Sequence, residues 1–308
     1  MISLSVFYDW LAASVRLSAP LMLVGVGGSY TERSGVFNIG MEGMMLTGAL
    51  VSVAVSSLTG NVLLAALCSM LAGFLMALGH AYLTVTRRAN QIVSGAAINL
   101  FALGLTNLLN ARLFNEPRTR VALYPTVAPE ALREIPILGQ VFFSQPVIVW
   151  VAFLMPFIAA WVMYRTSWGL NIRAVGEHSR AVATAGLSVV QLRYAGVLLS
   201  GIFAGLGGSA LALSDLGYFV PNMTAGRGFI VLAALVVGRW NPIMVAAASL
   251  LFGAGDALQL RVQTFGSIIP YQFLVMVPYI LTIAVLAGVV GKTSYPKEAG
   301  KAYNPEEE

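Results

Sequence analysis

The sequence predicts an all-α fold: a polytopic membrane helical bundle with an internal inverted repeat and about nine transmembrane or re-entrant segments. Three observations carry that expectation. Hydrophobic residues make up 58% of the chain and charged residues 10%, with a mean hydropathy of +0.80, a balance that belongs to chains buried in lipid. Runs such as Val62–Leu78 are apolar on every face, whereas strands of a membrane barrel alternate polar and apolar residues. A Gly-rich motif also recurs, GVGGS at Gly25–Ser29 and GLGGS at Gly205–Ser209. Lipid offers no partner to backbone N–H and C=O groups, so each run must close its own hydrogen bonds, as a helix of about 20 residues across roughly 30 Å.

The first span is Leu11–Tyr30. The opening MISLSVFYDW has no basic stretch and the apolar run continues past Arg16 without a small-residue cleavage pattern, so a retained span is expected rather than a signal peptide. Met44–Thr59, Asn61–Thr86 and Ile92–Phe114 follow. A proline-containing loop carrying Glu116, Arg118, Arg120, Glu130, Arg133 and Glu134 then leads to the linking span Pro146–Tyr164. Beyond it come Tyr194–Leu213, Gly228–Gly238, Pro242–Leu260 and Ile268–Gly291. Gly228–Gly238 is too short to cross at about 1.5 Å per residue, so a broken or re-entrant helix is expected there. The whole chain, 1–308, forms one transmembrane domain: a first repeat over about 11–114, the linking span 146–164, a polar loop 165–193, a second repeat over about 194–291 and a tail 292–308.

Orientation follows from lysine and arginine. If every segment crosses, Arg33, Arg87, Arg88, Arg165, Arg173, Arg180, Arg193, Arg239, Lys292, Lys297 and Lys301 fall on one side, eleven of the eighteen basic residues. Basic loops stay cytoplasmic, which places the C-terminus inside and the N-terminus outside.

Both copies of the Gly-rich motif precede an asparagine, Asn38 or Asn222. NIGMEGMMLTGALV from Asn38 aligns with NMTAGRGFIVLAALVV from Asn222 once one residue is inserted, so Gly43 matches Gly228, Ala49 matches Ala234 and Glu42 falls opposite Arg227. The repeat covers five segments, an odd number, which inverts the second copy. Gly-rich breaks at membrane depth are tolerated only inside protein or along a watery cavity, so Asn38, Glu42, Asn99, Asn222 and Arg227 are candidates for a translocation path. A carboxylate such as Glu42 suits the positive end of a helix dipole, and Arg227 does not. Arg227 therefore needs an acidic partner, with Glu42 and Asp215 the candidates. His80, Asn107, Asn110, Asp256 and Gln259 read first as contacts between helices, although Asp256 is also a residue that an ion-coupled transporter would use. Gly201-Ile-Phe-Ala-Gly205 is a close-packing pattern.

The longest polar interruption is Tyr164–Arg193. Within it Ser179 is placed to cap a short helix Arg180–Ala185, and Gly186 to end it in the left-handed conformation. The result is a small exposed helix shaped for a partner. Enzyme chemistry finds no support: there is no HExxH and no Cys/His cluster, and His80 and His178 lie on different segments. Cys68, the only cysteine, lies in an apolar run and reads as a buried thiol. LAGVVGKTS at Leu286–Ser294 mimics a phosphate-binding loop but begins with leucine where the motif demands glycine. The chain has no cofactor and no ATP site of its own. Its net charge of +5 follows from membrane topology and does not indicate nucleic acid.

ERSGVFNIGMEGMMLTGA (Glu32–Ala49), NQIVSGAAINL (Asn90–Leu100) and AVGEHSRAVATAGLS (Ala174–Ser188) resemble the membrane permeases of bacterial ABC importers of the branched-chain amino acid and ribose class. The resemblance is strongest to the shorter permease of purine-nucleoside importers that work with basic-membrane-protein-type lipoproteins. It implies a non-enzymatic subunit of the bacterial plasma membrane that carries a small-molecule substrate. It also implies a cytoplasmic ATP-binding subunit, a second permease that is a paralogue or a copy of this chain, and an external substrate-binding lipoprotein. The loop residues Gly176, Glu177, His178, Ser179, Arg180, Ala183, Gly186 and Leu187 match the helix that docks on the ATPase. Many relatives have Asn-Pro where this chain has His178-Ser179, and both pairs can start a helix. A sugar or branched-chain amino acid substrate, an ion-coupled transporter and an integral-membrane enzyme are the alternatives.

Overall fold

The computed structural model describes residues 4–114, 121–126, 128–133, 135, 137–264, 273, 276–289 and 295–304. Among them the chain is almost wholly helical, the one β-bridge pairing Thr126 with Pro146. The helices are α1 (Leu4–Arg33), α2 (Met41–Thr59), α3 (Val62–Ala81), α4 (Gln91–Leu113), α5 (Glu130–Arg133), α6 (Val147–Arg165), α7 (Ser167–Glu177), α8 (Ser179–Thr184), α9 (Val189–Leu211), α10 (Arg227–Val237), α11 (Pro242–Thr264) and α12 (Val277–Val289). Wider π-helical turns extend α3 to Thr86 and α9 to Leu216. Local sequence explains several starts. The Asn61 side chain accepts hydrogen bonds from the N–H groups of Leu63 and Leu64, and Asn90 accepts from Ile92 and Val93, filling backbone donors that a helix cannot satisfy itself.

Seven of the described helices are long and apolar enough to cross a bilayer, against the nine segments expected. The difference lies in α10, which has 11 residues, and in α12, of which 13 are described. Helix α9 begins at Val189, before the expected Tyr194, because Ser188 caps it through Gln191 N–H. Glu116, Arg118, Arg120, Glu134, Lys292 and the side chain of Asp215 lie outside the described residues, as do residues 290–294 of the phosphate-loop mimic.

Helices α1, α2 and α9 form the interior: 72% of each spanning window is buried, against 28% for α3 and α4. Their small residues explain the packing. Lipid tails are as apolar as leucine, so membrane helices associate through close contact. A Cβ on Gly205 would lie 2.1 Å from Ser69 O, and one on Gly201 would lie 2.3 Å from the Ala77 Cβ, so the predicted close-packing pattern seats α9 on α3. The first Gly-rich motif also packs on α9, since a Cβ on Gly27 would stand 2.8 Å from Ser200 Cα. Outward faces of α3, α4 and α6 carry exposed Leu71, Leu75, Leu100, Phe101, Phe157 and Trp161. Asn107 is exposed on α4 and does not join the packing.

At one end of the bundle, residues 121–124 bind the end of α9 through Val121 N–H to Gly217 O and Tyr124 N–H to Leu213 O, at 2.9 and 3.0 Å. Tyr124 is buried against Ser209 Oγ at 2.7 Å; burial raises its phenol above the ordinary value and the hydrogen bond opposes this. At the other end the tail, 295–304, crosses the face where α1 stops, α9 starts and α7 and α8 project. Gly300 N–H donates to Gly35 O at 3.2 Å and Glu298 N–H to Gly176 O at 2.9 Å. Tyr295 leans on Trp240 and Phe37, and burial followed by the Glu32 carboxylate raises its phenol.

Candidate functional site

The break between α1 and α2 returns the chain into the bundle, so that α2 starts at buried Met41 and Glu42. Glu42 does not pair with Arg227, as its aligned position suggests. Its Oε1 accepts from Gly226 N–H at 2.8 Å and its Oε2 from Gly228 N–H at 2.6 Å. These are first-turn donors of α10, where unsatisfied N–H groups and the macrodipole concentrate positive charge. Gly226 takes φ +84°, and a Cβ on Gly228 would lie 2.6 Å from Glu42 Cα and N, so this approach of two backbones excludes side chains at position 228. Helix α10 rises about 16 Å at 1.5 Å per residue and ends beside Trp240, whose Nε1 donates to Glu32. The Glu42 contact therefore sits roughly half a bilayer thickness from the tail face.

With both Glu42 oxygens occupied, Arg227 turns to α11. Its Nη2 lies 3.4 Å from Asp256 Oδ2, and Nη1 donates to the carbonyls of Met223 and Thr224 at 3.3 and 3.4 Å. Asp256 was therefore the missed partner. A carboxylate in an apolar run was the available signal, and helix packing decided which cation it meets.

Asparagine and histidine side chains fix the loop that leads to Glu42. Asn99 Oδ1 accepts from Gly43 N–H at 2.8 Å while its Nδ2 donates to Ile39 O at 3.0 Å. Asn38 is fully buried and donates through Nδ2 to Ser200 Oγ of α9 at 2.6 Å. His80 bridges Ser94 Oγ and Phe37 O, both at 3.0 Å, and Gln91 Oε1 accepts from Phe37 N–H at 2.7 Å. Asn38, Glu42, Asn99 and Arg227 are thus gathered at one level of the bundle. Asn222 stands apart, exposed at φ +57° in the turn before α10.

In the polar loop, α7 ends at Glu177 and α8 follows after the single residue His178. The predicted capping role of Ser179 is not observed: His178 occupies the cap position, Ser179 opens the helix and its Oγ donates to Glu298 Oε2 at 3.3 Å. A tertiary acceptor has displaced the local one. Gly186 does end the element at φ +81°, with Leu187 N–H returning to Val182 O at 3.2 Å. Ser179 and Val182 are buried, Glu177 and Ala183 half-buried, and His178, Arg180, Ala181 and 184–187 exposed. Gly176 is buried because a Cβ there would lie 2.1 Å from Arg33 O.

An apolar helical bundle in which the charged, Gly-rich starts of α2 and the short α10 meet suits passage of a solute, and no group of side chains that could hold a metal ion occurs among the described residues. Over residues 10–286 the chain matches the family described as branched-chain amino acid transport system / permease component. The chain belongs to this permease family. It is a multi-pass membrane permease component and not an enzyme. Among its relatives are the guanosine ABC transporter permease protein NupQ of Bacillus subtilis, 40% identical over 94% of this chain and 95% of the relative, and the nucleoside ABC transporter permease protein NupC of Lactococcus lactis, 38% identical over 93% of each. The putative glucose ABC transporter permease protein TsgC13 of Haloferax volcanii is 34% identical over 96% of this permease and 97% of its own length.

Proposed function

We propose that this permease is the translocation subunit of an ATP-driven importer for nucleosides. The observation that carries the proposal is the near full-length similarity, 40% and 38%, to permeases named for guanosine and for nucleosides. The path runs past Asn38, Glu42, Asn99 and Arg227. There the carboxylates of Glu42 and Asp256 face the N-termini of α2 and α10 and one guanidinium, and a dipole end carries about half a charge. The charges balance, which suits an uncharged solute. A simple sugar is the second substrate class, favoured by the glucose relative.

Helices α7 and α8 receive a cytoplasmic ATP-binding subunit through exposed His178, Arg180 and 184–187. The tail shares that face, so the C-terminus is cytoplasmic, in keeping with the distribution of basic residues. An external substrate-binding lipoprotein delivers solute, and a second permease, paralogue or copy, completes the path. Reciprocal packing supports an inverted repeat: α1 lies on α11 as α9 lies on α3, and α2 packs with α3 and α4 as α10 packs with α11 and α12. Asp256, engaged by Arg227, is not a free carrier for ion coupling.

The test is reconstitution of the chain with its co-purified partners. Uptake of labelled guanosine that requires ATP, resists ionophores and is competed by nucleosides supports the proposal. Uptake that runs without ATP and collapses with ionophores refutes it, and uptake of glucose alone selects the sugar. Ala183→Glu, placed against the Val175, Val182 and Val189 cluster, and Gly186→Val should leave membrane insertion intact while uncoupling ATP hydrolysis from uptake.

A further inference from the structure

One polar assembly on the tail face takes no part in the path. Glu298 sits at its centre: its N–H donates to Gly176 O at 2.9 Å, its Oε2 accepts from Ser179 Oγ at 3.3 Å and lies 3.9 Å from Arg193 Nη2. Arg193 is 1% exposed and donates through Nη1 to Lys301 O at 2.8 Å. Tyr303 packs on the cluster of Val175, Val182 and Val189 beneath α8. A Cβ on Gly35 would meet the Glu298 Cβ at 3.3 Å and Arg193 Nη2 at 3.4 Å, so the tail and the α1–α2 loop lie against each other. One short segment thus touches the α1–α2 loop, the α7–α8 element and the start of α9.

Physical requirements tie these contacts together. Helix α8 has six residues, too few to hold its own conformation, so its orientation is set by what it is fastened to. A buried guanidinium is retained only where a partner compensates it, and Glu298 provides that charge. Arg193 in turn holds the carboxylate where Ser179 can reach it. Two turns further along α9, Ser200 accepts from Asn38, the residue at the entry to the Glu42 contact.

We propose that Glu298 and Arg193 are positioning residues for energy coupling. Through them the tail acts as a strap that makes α8, the start of α9 and the α1–α2 loop one rigid body. Displacement of α8 then reaches α9 and, through Ser200 and Asn38, the loop before Glu42. The proposal rests on the docking of an ATPase at α7 and α8.

The test uses the complete transporter in proteoliposomes, with guanosine uptake, ATP hydrolysis and ATPase stoichiometry measured on each sample. Glu298→Gln should keep the ATPase bound and lower uptake per ATP hydrolysed about tenfold, within the range of coupling between distant sites. Glu298→Asp should recover part of it. Amide exchange across 177–187 should rise in Glu298→Gln. An unchanged ratio in Glu298→Gln, with a wild-type complex that couples normally, overturns the strap alone. Loss of assembled complex with a normal ratio in the remainder also overturns it, because it marks a folding contact. A wild-type complex without ATPase overturns the docking assignment and the strap together.

Discussion

Glu42→Ala should destabilise the bundle more than any other single truncation at the contact of α2 with α10. Glu42 is 7% exposed and its carboxylate accepts at 2.8 and 2.6 Å from two backbone N–H groups, that of half-buried Gly226 and that of buried Gly228. Leaving a buried donor unsatisfied costs about 1–3 kcal/mol, and a carboxylate at a helix N-terminus contributes about 0.3–2 kcal/mol through the dipole. These effects overlap, so about 3–5 kcal/mol is expected for alanine. Glu42→Gln keeps one acceptor but turns an NH₂ group towards a donor, for a loss of about 2–3 kcal/mol by the same costs. Thermal unfolding of the purified protein in detergent reads both: at about 2 °C per kcal/mol for a chain of this size, alanine lowers Tm by roughly 6–10 °C, with glutamine between it and wild type. An alanine variant within about 2 °C of wild type would refute the role of Glu42 as the cap of α10. Equal Tm values for glutamine and wild type would show that the acceptor matters and the charge does not.

Gly205→Val places a side chain where even a Cβ would be 2.1 Å from Ser69 O; separating α9 from α3 should cost about 3 kcal/mol, read as loss of monodisperse protein on size exclusion. Gly104→Ala makes the contrast, because nothing lies within 4 Å of its Cβ position in α4, and helix propensity predicts a gain of about 0.5–1 kcal/mol in thermal unfolding. A double-mutant cycle on Arg227→Gln and Asp256→Asn, whose side chains are 20% and 10% exposed, should give a coupling of about 1–2 kcal/mol; if Arg227→Gln leaves both uptake and Tm unchanged, the pair has no function. Tyr124→Phe should remove about 1 kcal/mol with the Ser209 hydrogen bond. Since burial raises the Tyr124 phenol above 10.0 in the folded chain, its contribution is complete below that pH and declines as pH climbs through the folded value, a loss that the phenylalanine variant should not show in alkaline unfolding.

Features governed by neighbours along the chain were legible in the sequence. The apolar runs became helices, Gly201 and Gly205 became the contact with α3, and Gly186 ended α8 in the left-handed conformation. Features decided by packing were not. Ser179 obeys the local rule for a cap, yet a carboxylate 119 residues away takes its hydroxyl. Arg227 needed an acid, and several were on offer. Only the placement of α11 beside α10 selects Asp256.

Glu42 shows how right physics can be attached to the wrong helix. Its position in the first turn of α2 suggests a carboxylate serving its own dipole. In the folded chain its two oxygens serve α10 instead. Helices α2 and α10 both begin at this contact, so two positive helix ends confront each other and Arg227 adds a third positive group at the start of α10. Without a carboxylate between them the ends would repel, and that meeting of breaks would not be stable in a medium with little water to screen it. The contact is therefore a division of labour: the first turn of α2 supplies the anion that lets both helices start. The exchange Glu42→Arg with Arg227→Glu preserves net charge but leaves the Gly226 and Gly228 N–H groups facing a guanidinium. It should therefore fail to restore the Tm lost in Glu42→Ala, whereas a simple ion-pair site would recover most of it.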